Sequence, residues 1–120
     1  MAKNEYCNYI LDLLSPIGNV TARSMFGEYG IYCNGIIFAI IVDDTLYFKV
    51  DDTNRSDYEN KGSEPFSYEA KNKKNVVMSY WQVPPDVLDD NELLCSWAGK
   101  SYQISRNKQK SKKKKSGNLA

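Results

Sequence analysis

Apolar residues recur along this chain at two spacings, and the change from one to the other divides it into elements. Cys7, Ile10, Leu11 and Leu14 fall at i, i+3, i+4 and i+7, one stripe at the helical period, so a helix is predicted over 4–14 with Tyr6 and Leu13 widening the stripe. Ser15-Pro16 disfavours its continuation and Gly18 completes the break. From Val20 to Phe26 the pattern alternates: Val20, Ala22, Ser24 and Phe26 fall on one face of a strand, and Thr21, Arg23 and Met25 on the other. Ile31-Tyr32-Cys33, Asn34-Gly35 and Ile36–Val42 read as a hairpin, because Asn-Gly supplies the two positive-φ positions of a type I′ turn. The second arm is apolar at seven consecutive positions, five of them β-branched, which predicts a central strand covered on both faces. Asp43-Asp44 turns the chain again, and Thr45–Val50 returns with Leu46, Phe48 and Val50 inward.

In the second half, Asp52 or Thr53 is placed to cap a short helix through about Asn60, ended by Gly62. Phe66–Ala70 alternates as a strand, 71–75 is a polar turn, and Val76–Val83 returns until Pro84-Pro85, which cannot donate to a ladder. Asp89 or Asp90 then starts a helix with Leu93, Leu94, Trp97, Ala98 and Ser101 on one face. From about Ser105 the apolar pattern fades, and the lysine-rich 108–120 is expected to be disordered. The order α-β-β-β-β-α-β-β-α predicts an α+β fold: a single antiparallel β-sheet of about six strands with packed helices. One domain over 1–105 and a tail over 106–120 are expected.

Charge changes this picture. The chain has a net charge of only +1, but residues 1–99 hold eight Lys and Arg against fifteen Asp and Glu, a net of −7, while residues 100–120 hold eight basic residues and no acid. An acidic body carries a basic end. There is no histidine, which removes histidine triads, histidine metal sites and the commonest general base at neutral pH, so an enzyme is not expected. The pattern asks for no cofactor or metal. Cys7, Cys33 and Cys95 form no C-x-x-C pair and fall within apolar patterns, where they read as small buried hydrophobes of a reducing compartment. No run of about 18 apolar residues occurs, and the N-terminal segment is charged and amphipathic at once, so a cytoplasmic protein without membrane contact is expected.

The candidate chemistry is that of recognition. Gly27 and Gly30 flank Glu28-Tyr29, suiting a bulge or tight bend between strands, with Phe26 and Tyr32 packing beside it. A partner-binding patch would consist of Arg23, Phe26, Gly27, Glu28, Tyr29 and Gly30, with Arg23 as a fork of donors and Tyr29 as a flat contact. Tyr47, Lys49, Tyr68, Tyr80 and Trp81 are candidates for an exposed sheet face of the kind on which bases stack, although the acidic body opposes a phosphate backbone. Lys108, Lys110, Lys112, Lys113, Lys114 and Lys115 read as a solvated end or a nucleic-acid contact without sequence preference. The acidic pairs Asp43-Asp44, Asp51-Asp52 and Asp89-Asp90 fall at turns and helix starts, where capping explains them better than magnesium.

Several segments together resemble one family. The run Val20–Gly30, the Leu46–Asp51 run followed by Asn54-Arg55, Gly62-Ser63-Glu64-Pro65-Phe66-x-Tyr68 and Met78-Ser79-Tyr80-Trp81-x-Val83-Pro84 are similar, in order and spacing, to the TfoX N-terminal domain family over roughly residues 5 to 104. The resemblance implies a bacterial regulator of natural competence, or a small stand-alone relative of one. Full-length members of the family are coactivators of transcription that work with the cyclic-AMP receptor protein, which makes that protein or RNA polymerase the implied partner. They usually carry a second, helical domain where this chain has its lysine-rich end. The resemblance implies no catalytic residue and leaves the oligomeric state open.

Overall fold

The computed structural model describes residues 3–25, 28–69 and 75–119. Helix α1 (Lys3–Leu14) is followed by a single 3-10 turn at Ser15–Ile17. Four strands come next, β1 (Val20–Met25), β2 (Glu28–Cys33), β3 (Ile36–Val42) and β4 (Thr45–Lys49). After the short helix α2 (Arg55–Glu59) the chain forms β5 (Pro65–Glu69) and β6 (Asn75–Gln82), a one-turn helix α3 (Pro85–Leu88) and the long helix α4 (Asn91–Leu119). All pairings are antiparallel, in a six-stranded sheet of order β1-β2-β3-β4-β6-β5. The predicted α+β architecture is the one found.

The two central hairpins rest on backbone chemistry visible in the sequence. Asn34 and Gly35 have φ of 51° and 81°, and Asp43 and Asp44 have 51° and 56°, so both turns bend through the left-handed region that Asn, Asp and Gly tolerate best. Strand β3 lies between β2 and β4 and is buried from Phe38 to Ile41. An irregularity between β2 and β3 shapes the core: Ile31 faces Ala39 but Tyr32 faces Ile37, which leaves Phe38 as the extra residue. Phe38 and Ala39 both join the core as a result.

That core lies between one face of the sheet and helices α1 and α4. Cys7, Ile10 and Leu14 of α1 meet Leu94 and Ala98 of α4 over Ile31, Cys33, Ile41, Leu46 and Phe48. Cys7 and Cys33 are buried as expected, and the half-buried Cys95 donates its thiol proton to the Leu13 carbonyl, 3.3 Å away. Burial pushes all three thiols above their ordinary range.

Two local expectations change. Helix α2 is led in by Asn54, which makes no side-chain cap bond. Instead the Asn54 Oδ1 accepts from the Asp51 N–H at 2.9 Å, and the Asp51 Oδ1 accepts from the Thr53 N–H and hydroxyl at 2.8 and 2.6 Å. The polar groups thus tie the loop before the helix rather than its first turn. The helix ends at Gly62 (φ 74°), where the Ser63 N–H reaches back to the Tyr58 carbonyl at 3.0 Å. The second change is α4. Asp90 starts it by accepting from the Leu93 N–H at 3.2 Å, but its 29 residues run past Ser105 and through the lysine-rich segment expected to be disordered. Lys, Arg and Gln are good helix formers, and a helix already anchored by its packed half extends without a new nucleation cost.

Candidate functional site: the outer face of the sheet

Helices cover one face of the sheet, and the strand register tells which side chains stand on the other. Arg23, Gly30, Ile40, Tyr47 and Gln82 form one row across β1, β2, β3, β4 and β6. One step toward the β3–β4 turn lie Glu28, Val42 and Thr45. One step the other way lie Thr21, Tyr32, Ile37, Lys49 and Tyr80.

Cations rest on rings along this face. The exposed Arg23 guanidinium lies 5.3 Å from the Tyr32 ring centroid, and the Lys49 ammonium 5.1 Å from that of Tyr80. Tyr80 is only 8% exposed under that lysine. Burial first, and the neighbouring Tyr32 second, push its phenol above the ordinary range. Lys49 is shifted the other way. Burial lowers its ammonium pKa, the Lys108 charge lowers it further, and Asp51 opposes them.

The β3–β4 end is acidic. The Glu28 Oε2 accepts from the Asp43 N–H at 3.2 Å, fastening β2 to the turn. Beside it an open cavity of about 420 Å³ is lined by Asp43, Thr45, Tyr47, Glu64, Phe66 and Gln82. Tyr47 and Phe66 meet edge to face at 5.1 Å, and burial, with the Asp43 charge behind it, raises the Tyr47 pKa. A second cavity of about 360 Å³ opens on the helical side, between α2 and α4, at Asn54, Tyr58, Trp97 and Lys100. Among the described residues no group of three or more acidic, cysteine or histidine side chains is placed to hold a metal ion. Nor is any helix among them long and apolar enough to cross a membrane.

The expected partner patch is only partly assembled. Arg23 and Glu28 share the outer face, but Tyr29 stands opposite Ser24 and Ile41 on the inner side and packs, half-buried, against the core. The alternation that puts Ile31 and Cys33 inward carries Tyr29 with them. Gly30 makes no bend: it sits inside β2 between Arg23 and Ile40, and the irregularity falls at Ile31/Tyr32 instead. Phe26 and Gly27 lie outside the described residues. Of the aromatic set, Tyr47, Lys49 and Tyr80 share the outer face, while Trp81 turns inward toward Tyr58, 6.3 Å between ring centroids. Among the described residues of this set, then, Tyr80 is covered by Lys49 and Trp81 lies inside, which leaves Tyr47 as the aromatic ring open on the outer face. The side chain of Tyr68 lies outside the described residues, as do those of Lys110 and Lys112–Lys115, whose backbone belongs to α4. Lys108 is exposed on α4. Sequence reading missed Tyr32 as the ring under Arg23 and Phe66 as the partner of Tyr47. Alternation carried through β2 would have found Tyr32; the Tyr47–Phe66 pair is long-range and leaves no local signal.

Comparison with known proteins gives this surface a family. The chain is 28% identical over 93 residues to the DNA transformation protein TfoX of Haemophilus influenzae, a match covering 76% of this chain and 43% of that protein. The chain thus spans less than half the length of this curated relative. Residues 12–105 match the TfoX N-terminal domain model, a stretch that takes in all six strands and the packed part of α4. By that match, over most of its length, the chain belongs to the TfoX N-terminal domain family.

Proposed function

We propose that this chain is a regulatory protein of DNA transformation that works by binding another protein of the transcription apparatus, with no chemical step of its own. The observation that carries the reading is the family match over residues 12–105, together with the DNA transformation protein among its relatives. The geometry supports a binding role. Strand β1 is an edge of the sheet, and its exposed Arg23 lies beside Glu28 on the outer face. The cyclic-AMP receptor protein and RNA polymerase are the partners to test, and such a role is exercised in the cytoplasm.

The test pairs a genetic and a physical readout. Deleting the gene in its host is expected to lower transformation frequency and competence-gene transcripts. Restoring it with Arg23→Ala should fail to recover either, and the same variant should lose a two-hybrid signal with one of the two partners while keeping the wild-type melting curve. Unchanged transformation and transcripts in the deletion strain would refute the regulatory reading. A full signal from Arg23→Ala would refute the assignment of the surface.

A further inference from the structure

The cavity at the β3–β4 end of the outer face has a chemistry that the regulatory reading does not use. The β3–β4 turn brings Asp43 to it, β4 brings Thr45 and Tyr47, β6 brings Gln82, and the chain entering β5 brings Glu64 and Phe66. Hydrogen bonds fasten these segments to one another. Tyr47 stands opposite Gln82 in the sheet, the Gln82 N–H donates to the Glu64 carbonyl at 3.1 Å, and the Ser63 hydroxyl donates to the Gln82 carbonyl at 2.5 Å. The turn is held by the Asp43 N–H, which donates to Glu28 at 3.2 Å. The walls are therefore in place before anything binds, and their 420 Å³ falls within the ~300–1,000 Å³ of ligand sites.

Two kinds of group meet in these walls. Tyr47 and Phe66 supply rings, 5.1 Å between centroids, and Asp43 and Glu64 supply exposed carboxylates. Elsewhere on the outer face a ring carries a cation of this chain: Arg23 lies over Tyr32 and Lys49 over Tyr80. Here, among the described residues, no lysine or arginine lines the cavity. Nor does Asp43 or Glu64 have a cation at ion-pair distance among them, because the ion pairs they form are Arg55–Asp52 and Lys61–Asp86.

We propose that this cavity receives the guanidinium of an arginine side chain presented by a protein partner. That the guanidinium belongs to a protein rests on the protein-binding reading above; the preference for a cation does not. A cation is attracted to ring faces and to carboxylates alike, and this cavity offers both while repelling an anion. Guanidinium fits better than ammonium: it is planar, weakly hydrated and stacks on a ring while its N–H fork reaches carboxylates in its own plane. The Gln82 side chain and the Thr45 hydroxyl supply further oxygens to that fork. The cavity is open, which suits a side chain entering from a facing surface, where arginine is an enriched anchor. The net −7 of residues 1–99 steers a basic partner surface toward it.

Amide NMR spectra of the intact chain, titrated at low salt with a blocked Gly-Arg-Gly peptide, read this directly. The resonances of Thr45, Tyr47 and Gln82, with the Gln82 side-chain amide, should shift and saturate. The lysine peptide should bind more weakly and the citrulline peptide, a neutral isostere, not at all. Glu64→Gln and Asp43→Asn should each weaken the arginine peptide by about two- to five-fold, as expected for an exposed charge pair. Both replace exposed side chains and leave the packing alone, whereas Tyr47→Leu should abolish binding and is read only with a wild-type melting curve. Shifts absent from these residues, or equal for arginine and citrulline, would overturn the proposal. So would an unchanged affinity in Glu64→Gln and Asp43→Asn together. Equal binding of the lysine peptide would overturn the choice of guanidinium. Failure of the regulatory reading would show in the deletion strain and leave these titrations as they are.

Discussion

Removing one atom from the core should make this protein more stable. Tyr58 of α2 is 1% exposed, its ring 4.6 Å from that of Trp97, and among the described residues its hydroxyl has no hydrogen-bond partner. The nearby Ser101 hydroxyl gives its proton to the Lys49 carbonyl, and its oxygen, which could still accept from the phenol, lies outside hydrogen-bond geometry. A buried polar group left unsatisfied costs about 1–3 kcal/mol. Tyr58→Phe keeps the ring contacts and removes that cost, while the small void it leaves returns about 0.3 kcal/mol at ~24 cal/mol per Å³. The expected net gain is about 1 kcal/mol. With an unfolding entropy of ~2 cal/mol/K per residue, that is a rise in Tm of about 4 °C for a chain of 120 residues.

The same substitution has a pH signature. Burial, only partly offset by the nearby Ser101 oxygen and reinforced by the Asp57 charge, holds the Tyr58 phenol far above its ordinary range. The folded protein therefore keeps this proton while the unfolded chain loses it above about pH 10, and stability falls as pH rises, by up to ~1.4 kcal/mol per unit from this residue. Tyr58→Phe lacks that loss, so its advantage over wild type should widen between about pH 9 and 11. Urea melts of both proteins across that range measure the effect. A variant less stable than wild type at pH 7, or one with the same alkaline slope, would show that the hydroxyl is satisfied and the reasoning wrong.

Other substitutions probe the turns, the core and the α2 loop. Gly35 (φ 81°) has open space where a Cβ would stand, so Gly35→Ala should cost only backbone strain, about 1 kcal/mol in a urea melt. Gly18→Ala should cost more, because at φ 141° its Cβ would also stand 3.3 Å from the Cys33 Sγ, and adding Cys33→Ala should not recover the backbone part. Phe38→Ala removes a fully buried ring packed between Phe48 and Tyr102 and should cost about 3–5 kcal/mol, read from the same melts. For Asp51, burial alone would raise the carboxyl pKa, but hydrogen bonds from Thr53 and the charges of Lys100 and Arg55 outweigh it and hold it below the ordinary range. Its contribution is present above about pH 4 and is lost as pH falls through the folded value, so acid unfolding of Asp51→Asn should be less steep than wild type.

What was legible in the sequence was local. Strands β3 and β4 and the Asn34-Gly35 turn follow from alternation and from two residues that accept positive φ, and the packed half of α4 follows from a stripe at the helical period. These patterns work because side-chain direction is set by the backbone of the same few residues, whatever lies opposite. The same locality explains the errors. The apolar stripe fades near Ser105, which predicts a disordered lysine-rich end, yet α4 runs to Leu119 because its hydrogen bonds are internal and need no apolar face. The predicted patch groups Tyr29 with Arg23 at a bend between Gly27 and Gly30, whereas β2 runs straight through Gly30 and its pleat sends the two to opposite sides of the sheet. Only the tertiary structure decided that β4 pairs with β6 rather than β5, that Phe38 is the extra residue that enters the core, and that Ser101 locks α4 onto Lys49. Those outcomes depend on which distant segments bury the most apolar surface and satisfy the most backbone groups together, a competition over the whole chain that no short window of sequence contains.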